Sequence, residues 1–566
     1  MMTSKDWARD PITLQILWAR LVTITEECWI TLWRTAFSMI VGEAQDFGCE
    51  LLDAHGESLA HSPRSMPVFN LTLPRAVQGL LEAFPPDTLR AGDVLATNDP
   101  WICAGHLNDV ALVSPIFRRG SLVGLAGSIA HCSDIGGSRD ALGVREIYDE
   151  GVQIPPMKLY REGEANRDVL RMIELNTRGG ERVLGDLQAQ LSANEVGSER
   201  LLSFLDEYAL DDLGDLARVM QDHAERAMRE AIAALPDGVY EDEMPCDAPG
   251  AGTFSLRVRV TVRGDDLDVE WIDVRPQVEQ GGVNCTMSYT AAHSVYALKC
   301  LLTPDLPSNA GCYRPIDVQA PAGSILNCRY PAPVNARTMV GWYCGPAIVR
   351  ALAPALPERV QSFTGMPMSI GAYGFDPAGH PYNDSLFQGG GQGASAHRDG
   401  KSALLFPTSA RNTPVETFES RVPLLVERKE LTPDSGGAGR QRGGLGQRVR
   451  VRKLHDDGLP VQISMMPTGV HTEPPGLQGG AAAPHAAIRY EGPDGDRGAD
   501  ELGGLVSLRS PAERLTLELS GGSGFGPPSE RPVELVARDL AEGRITPAGL
   551  AAYGCRLGED GQVRRH

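Results

Sequence analysis

The sequence predicts an α+β protein of several domains, with a helical and mixed-sheet N-terminal domain and a Gly-rich, β-rich C-terminal region. Three observations predict this class. A chain of 566 residues exceeds the size at which one hydrophobic core usually stops growing. Segments of helical periodicity alternate with short runs of period two through the first 430 residues. Beyond Leu431 the pairs Gly436-Gly437, Gly443-Gly444, Gly479-Gly480 and Gly521-Gly522 separate short strand-like runs. A hydrophobic fraction of 42% and a charged fraction of 22% suit packed cores rather than disorder. The formal charge of -20 argues against nucleic acid or an anionic membrane as the general partner.

In residues 11–41, Ile12, Ile16, Leu17, Leu21, Ile24, Cys28, Leu32 and Phe37 recur at helical spacing behind Pro11, which predicts one long helix or two shorter ones. Arg20, Glu26, Glu27 and Arg34 interrupt the apolar face, so this is a core helix with a polar edge. Residues 42–53 followed by Gly56 read as a hairpin, with Asp46 where helix gives way to strand. An amphipathic helix is expected over 64–84, a strand over 92–97, and a buried strand over 122–130 that ends at His131. Residues 158–238 read as largely helical, closed by Pro236-Asp237-Gly238. Antiparallel strands follow over 239–273, a helix over 286–302, and loops around 304–311 and 331–335. These divisions give three expected domains, 1–238, 239–430 and 431–566.

The chemistry concentrates in Asn98-Asp99-Pro100, Gly105-His106-Leu107-Asn108-Asp109 and His131-Cys132-Ser133-Asp134. A strand that ends in His with Gly136-Gly137 behind it delivers an imidazole rigidly to a loop face. His106, Asp109 and His131, with a carboxylate from elsewhere, compose a divalent-metal site, and nitrogen and oxygen donors without thiolate suit Zn²⁺, Mn²⁺ or Fe²⁺. The alternative is a hydrogen-bonded turn in which Asp109 and Asp134 cap backbone N–H groups. Cys132 points away from its neighbour His131 in an extended segment and reads as a core filler.

Other signals are weaker. Gly400-Lys401-Ser402 resembles the end of a phosphate loop, but the pattern needs Gly where Ser395 stands. The glycine runs at 389–394 and 521–526 read as tight turns or as anion cradles. Eleven cysteines without a C-x-x-C pair, no apolar leader in residues 1–10 and no long apolar run lead to an expected cytoplasmic location.

With these residues in view, the sequence resembles the hydantoinase B / oxoprolinase family, which includes the corresponding subunits of ATP-dependent N-methylhydantoinase, acetone carboxylase and acetophenone carboxylase. The motifs run from Asp10-Pro11-Ile12-Thr13 through the segments above to Glu146-Ile147-Tyr148-Asp149-Glu150-Gly151 and Ile154-Pro155-Pro156. They continue with Asn412-Thr413-Pro414-Val415-Glu416, Asp434-Ser435-Gly436-Gly437, Arg442-Gly443-Gly444 and Gly521-Gly522-Ser523-Gly524-Phe525-Gly526. Cys103-Ala104 departs from the small pair common in relatives, and Asn108 stands where Pro is frequent.

The resemblance implies a divalent-metal site of Asp46, His106, Asp109 and His131. It also implies a separate hydantoinase A-like subunit that uses ATP to activate the substrate, leaving this chain to complete the reaction. The expected function is opening of a hydantoin- or lactam-like ring. The alternatives are a subunit of an ATP-dependent ketone carboxylase and a non-catalytic scaffold whose metal holds loops together. Glu146 and Glu150, on one face if their segment is helical, are expected to support the metal ligands or move a proton. Trp101, Ile102, Cys103 and Asn108 are expected to line the metal turn, with Asn108 hydrogen-bonded to an amide edge.

Overall fold

The computed structural model describes residues 10–408 and 410–566; residues 1–9, on which the expectation about an apolar leader falls, lie outside the described residues. Helix α1 (Pro11–Thr35) starts where the Asp10 carboxylate accepts from the Ile12 and Thr13 N–H groups. Pro11 fills the first turn, where a missing N–H leaves no bond unmade. Of the two expectations for this segment, the structure has the long helix, followed by a single turn at Met39–Gly42.

Seven strands then build one antiparallel sheet: β1 (Phe47–Leu52), β2 (Ser58–His61), β3 (Val94–Thr97), β4 (Asp109–Arg118), β5 (Ser121–His131), β6 (Met157–Arg161) and β7 (Glu164–Ala165), in the order β2-β1-β5-β4-β3-β6-β7. Helices α2 (Phe69–Ala83) and α4 (Gly180–Glu207) cover opposite faces, with α3 (Arg167–Asn176) between β7 and α4 in the chain. Side chains along a strand alternate between faces. A Cβ on Gly124 of β5 would meet Leu201 of α4, whereas one on Gly127 would meet Leu73 of α2. This double cover is why β4 and β5 read as continuous apolar runs. The expected helical stretch from residue 158 is corrected at its start. Lys158 belongs to β6, held by a buried ion pair between its Nζ and Asp93 at 2.6 Å, and helix begins only at Arg167.

After α5 (Gly214–Ala233), the strands β8 (Gly238–Ala248), β9 (Gly252–Arg263), β10 (Asp266–Ile272) and β11 (Ile316–Gln319) form a second sheet in which only β10 and β11 are parallel. Helices α6 (Met287–Leu302) and α7 (Cys344–Ala351) pack together beside it. One hydrophobic core runs through both sheets and joins α1, α2, α4, α5, α6 and α7, while a separate cluster packs β3, β4 and β6 against α3 and the first turns of α4. The C-terminal part holds a four-stranded and a five-stranded sheet, which share a second core. The glycine runs at 389–394 and 521–526 form interlocked extended backbone rather than tight turns or anion cradles, because most of their N–H groups bond neighbouring carbonyls. Gly391 N donates to Ser520 O (3.1 Å), Gly444 N to Gln392 O (2.8 Å) and Gly522 N to Gly444 O (2.9 Å). A Cβ on Gly443 would overlap the Gly522 carbonyl, so these backbones approach more closely than any side chain permits. Among the described residues no helix is long and apolar enough to cross a membrane.

Candidate metal centre

Register brings the site together. Asp109, the first residue of β4, lies directly opposite His131, the last of β5. The His131 N–H donates to the Asp46 carbonyl at the start of β1 (3.1 Å), so three neighbouring strand ends deliver Asp46, Asp109 and His131 to one edge. His106 arrives on the turn before β4. Buried Asn98 ties that turn down: its amide donates to the carbonyls of Leu107 (2.7 Å) and Val152 (2.9 Å) and accepts from Ile154 N (2.6 Å).

His106 Nε2 lies 2.9 Å from Asp109 Oδ2, and His131 Nδ1 lies 3.1 Å from Asp109 Oδ1 and 3.8 Å from Asp46 Oδ2. The first of these approaches lacks hydrogen-bond alignment, leaving both His106 nitrogens without a hydrogen-bond partner although the residue is 4% exposed. Donors bound about 2.1 Å from one cation sit about 3.0 to 3.4 Å apart, close to the separations seen here. His106, Asp109 and His131 each offer a ligand atom within 4.8 Å of the others. These three residues therefore fit a divalent cation, and the Asp46 carboxylate, 3.8 Å from His131, lies beside the cluster rather than within it.

A residue far away in sequence completes the charge balance. Arg337 donates through Nη2 to Asp109 Oδ2 (2.9 Å) and through Nε to the Ala104 carbonyl (2.7 Å), and its guanidinium lies 4.4 Å over the Tyr289 ring. Burial alone would raise the Asp109 carboxyl, but His106, His131 and Arg337 hold it well below the usual range. Burial pushes Asp46 up to about 6, against the pull of His131. Burial, seconded by Arg337, pushes His106 down to about 3, so the ring is neutral at neutral pH and one of its nitrogens keeps a lone pair for a ligand. For His131 burial is outweighed by Asp109 and Asp46, which raise it above its ordinary value.

Comparison with known proteins decides the family: the model for hydantoinase B/oxoprolinase matches residues 10–528. The chain belongs to that family. It is 30% identical to a protein named as the B-type subunit of a D-/L-hydantoinase in Pseudomonas sp. (strain NS671), over 98% of this chain and 96% of that one. It is also 30% identical to the beta subunit of the caprolactamase of Pseudomonas jessenii, over 98% and 97%. The crystal structure of the ATP-dependent caprolactamase from Pseudomonas jessenii superposes with a TM-score of 0.89 at 29% identity, covering 98% of this chain and 97% of that chain. A nucleotide-free acetone carboxylase shares the fold, with a TM-score of 0.88 at 20% identity over 99% and 82% of the two chains.

In this hydantoinase B/oxoprolinase chain the centre forms part of the wall of a cavity of about 240 Å³, which Asp46, Asn108, Glu150, Arg337 and His293 also line. The expected pairing of Glu146 with Glu150 is corrected. Their segment is a three-residue 3-10 turn, Ile147–Asp149, not an α-helix, and Glu146 is exposed outside the cavity wall. Glu150 is buried. Its Oε1 accepts from the N–H groups of Val334 (2.6 Å) and Asn335 (2.8 Å), while Oε2 has no hydrogen-bond partner. Burial pushes its carboxyl up to about 8. Asn108 faces the cavity and donates to the Cys132 carbonyl at 3.4 Å. Trp101, Ile102 and Cys103 do not line it: Trp101 Nε1 donates to Cys328 O (3.0 Å), Ile102 packs where Gly79 leaves room, and Cys103 is buried in the core. Arg337 and His293 escaped sequence reasoning. The first sits just after a segment read only as loop. The second left one signal, since Tyr289, His293 and Tyr296 recur at helical spacing along one helix.

Proposed function

We propose that this chain is the metal-dependent subunit of an ATP-dependent cyclic amidohydrolase, opening hydantoin- or lactam-like rings after a hydantoinase A-like, ATP-binding subunit has activated them. The observation that carries the reading is the meeting of His106, Asp109 and His131 at one end of the β4–β5 pair, with His106 Nε2 2.9 Å from Asp109 Oδ2 and out of hydrogen-bond alignment. Relatives named as hydantoinase and caprolactamase subunits support the substrate class and the need for a partner.

His106, Asp109 and His131, joined by Asp46, would hold a divalent cation (Zn²⁺ or Mn²⁺, or Fe²⁺). When bound, such an ion supplies Lewis-acid polarisation of an amide carbonyl. The protein's own groups do the rest. Arg337 keeps Asp109 ionised, and the Asn98 clamp and the β4–β5 register fix the two imidazoles before substrate arrives. Glu150, protonated near neutral pH, is placed in the cavity wall to give a proton to the departing amide nitrogen through its unpartnered Oε2. Asn108 offers a donor and an acceptor to the amide edge. Cytoplasmic location and a heteromeric complex belong to this reading.

Elemental analysis of the purified chain tests the centre. Wild type is expected to carry about one divalent ion per chain, and His106→Ala and Asp109→Ala to lose it. Full retention in both variants would remove the site.

A further inference from the structure

The α6 wall of the same cavity carries an imidazole that the proposed centre does not use. Tyr289, His293 and Tyr296 share one face of α6, and all three line the cavity. His293 is 3% exposed, and neither ring nitrogen has a hydrogen-bond partner among the described residues. It lies outside the ligand cluster of His106, Asp109 and His131. The Tyr289 ring meets it edge-on at 4.5 Å, and Tyr289 in turn lies under the Arg337 guanidinium at 4.4 Å. Its place relative to Asp109 is thereby fixed. Burial, with Arg337 acting in the same direction, pushes it down to about 3. The ring is therefore neutral and offers one donor and one acceptor. A buried polar group without a partner is costly, and a polar ligand that reaches it relieves the cost.

We propose that His293 touches the substrate and selects, among cyclic amides, rings that carry a second hydrogen-bonding group, the imide and hydantoin class, over plain lactams. The proposal rests on the cyclic-amide reading above. A cavity of about 240 Å³ has room for a small ring that meets the metal centre and α6 together. A plain lactam spends its single amide at the centre and turns methylenes toward His293, leaving the imidazole unpaired. A hydantoin or imide brings a second carbonyl or N–H to it. Sites built to hydrogen-bond a substrate group reject analogues that lack it.

Calorimetric titration of the metal-loaded full-length chain with hydantoin, succinimide and 2-pyrrolidinone tests this. In wild type the Kd for hydantoin and succinimide is expected to be about 5- to 150-fold lower than for 2-pyrrolidinone. His293→Phe closes that gap with the 2-pyrrolidinone Kd unchanged, and His293→Gln, which keeps a donor and an acceptor, preserves part of it. Equal Kd values for the three rings in wild type, or a gap that persists in His293→Phe, overturn the assignment and leave the cyclic-amide reading standing. Failure of wild type to bind any of the rings overturns the inference alone, because the cyclic-amide reading has the partner activate the ring first and is tested by turnover of the reconstituted complex. The wild-type comparison needs no variant, so a misfolded His293 variant does not shield the proposal.

Discussion

Asp109 is shared by three cationic or metal-seeking groups: its Oδ2 faces both His106 Nε2 and Arg337 Nη2 at 2.9 Å, and its Oδ1 faces His131 Nδ1 at 3.1 Å. Arg337 is 5% exposed. Removing the carboxylate therefore strands a buried guanidinium as well as taking one donor from the candidate metal centre. Asp109→Ala is expected to lose about 3 to 5 kcal/mol of stability, and the double variant Asp109→Ala with Arg337→Met to regain stability without regaining metal. Urea unfolding with elemental analysis checks both. Glu150 supplies a pH signature. Its carboxyl is raised by burial to about 8 from an ordinary 4.5. Between those values the native chain keeps a proton that the unfolded chain has released, so stability falls as pH rises through the window. Unfolding midpoints between pH 5 and pH 8.5 are expected to drop in wild type by more than in Glu150→Gln; equal drops would mean that Glu150 ionises freely in the fold. His106, Asp109 and His131 were legible in the sequence as candidates because they are near one another in the chain, although a hydrogen-bonded turn stood as the competing reading of Asp109. Arg337 was not, because a guanidinium 228 residues from its carboxylate leaves no local pattern.

The β4–β5 pair and the turn behind it are the element on which the site depends. A slip of one residue in their register would send Asp109 and His131 to opposite faces. Gly137, at φ +65, closes the turn where any Cβ would overlap the Glu150 backbone, whereas at Gly120, at φ +85 in the β4–β5 hairpin, an added Cβ would meet nothing within 4 Å. Gly120→Ala is thus expected to cost only the conformational penalty, about 1 kcal/mol, and Gly137→Ala at least about 3 kcal/mol with its added collision. Urea midpoints compare the two; equal losses would show that the contact with Glu150 is unimportant. β5 was plain from its apolar run, and α1 and α6 from their periodicity. β6 was hidden inside an apparently helical stretch, because what draws Lys158 into a sheet is Asp93, 65 residues earlier.

At the scale of the whole molecule, the cavity draws on all three domains proposed from the sequence. Asp46, His106, Asp109 and His131 come from 1–238, His293 and Arg337 from 239–430, and Met465 and Met466 from 431–566. The α+β class and the β-rich C-terminal part were legible from periodicity and glycine density. The interlocking of the glycine runs was not, since each contact joins backbones far apart in the chain. The measurement that tests the central claim most directly is substrate loss by the metal-loaded chain reconstituted with the ATP-binding partner proposed for it, assayed on cyclic amides and ketones with and without bicarbonate. The account predicts ATP-dependent opening of a hydantoin or lactam without bicarbonate, loss of that turnover in His131→Ala, and neither ATP hydrolysis nor ring opening by the chain alone. Turnover confined to ketones and strictly dependent on bicarbonate, or undiminished ring opening in His131→Ala, would contradict it.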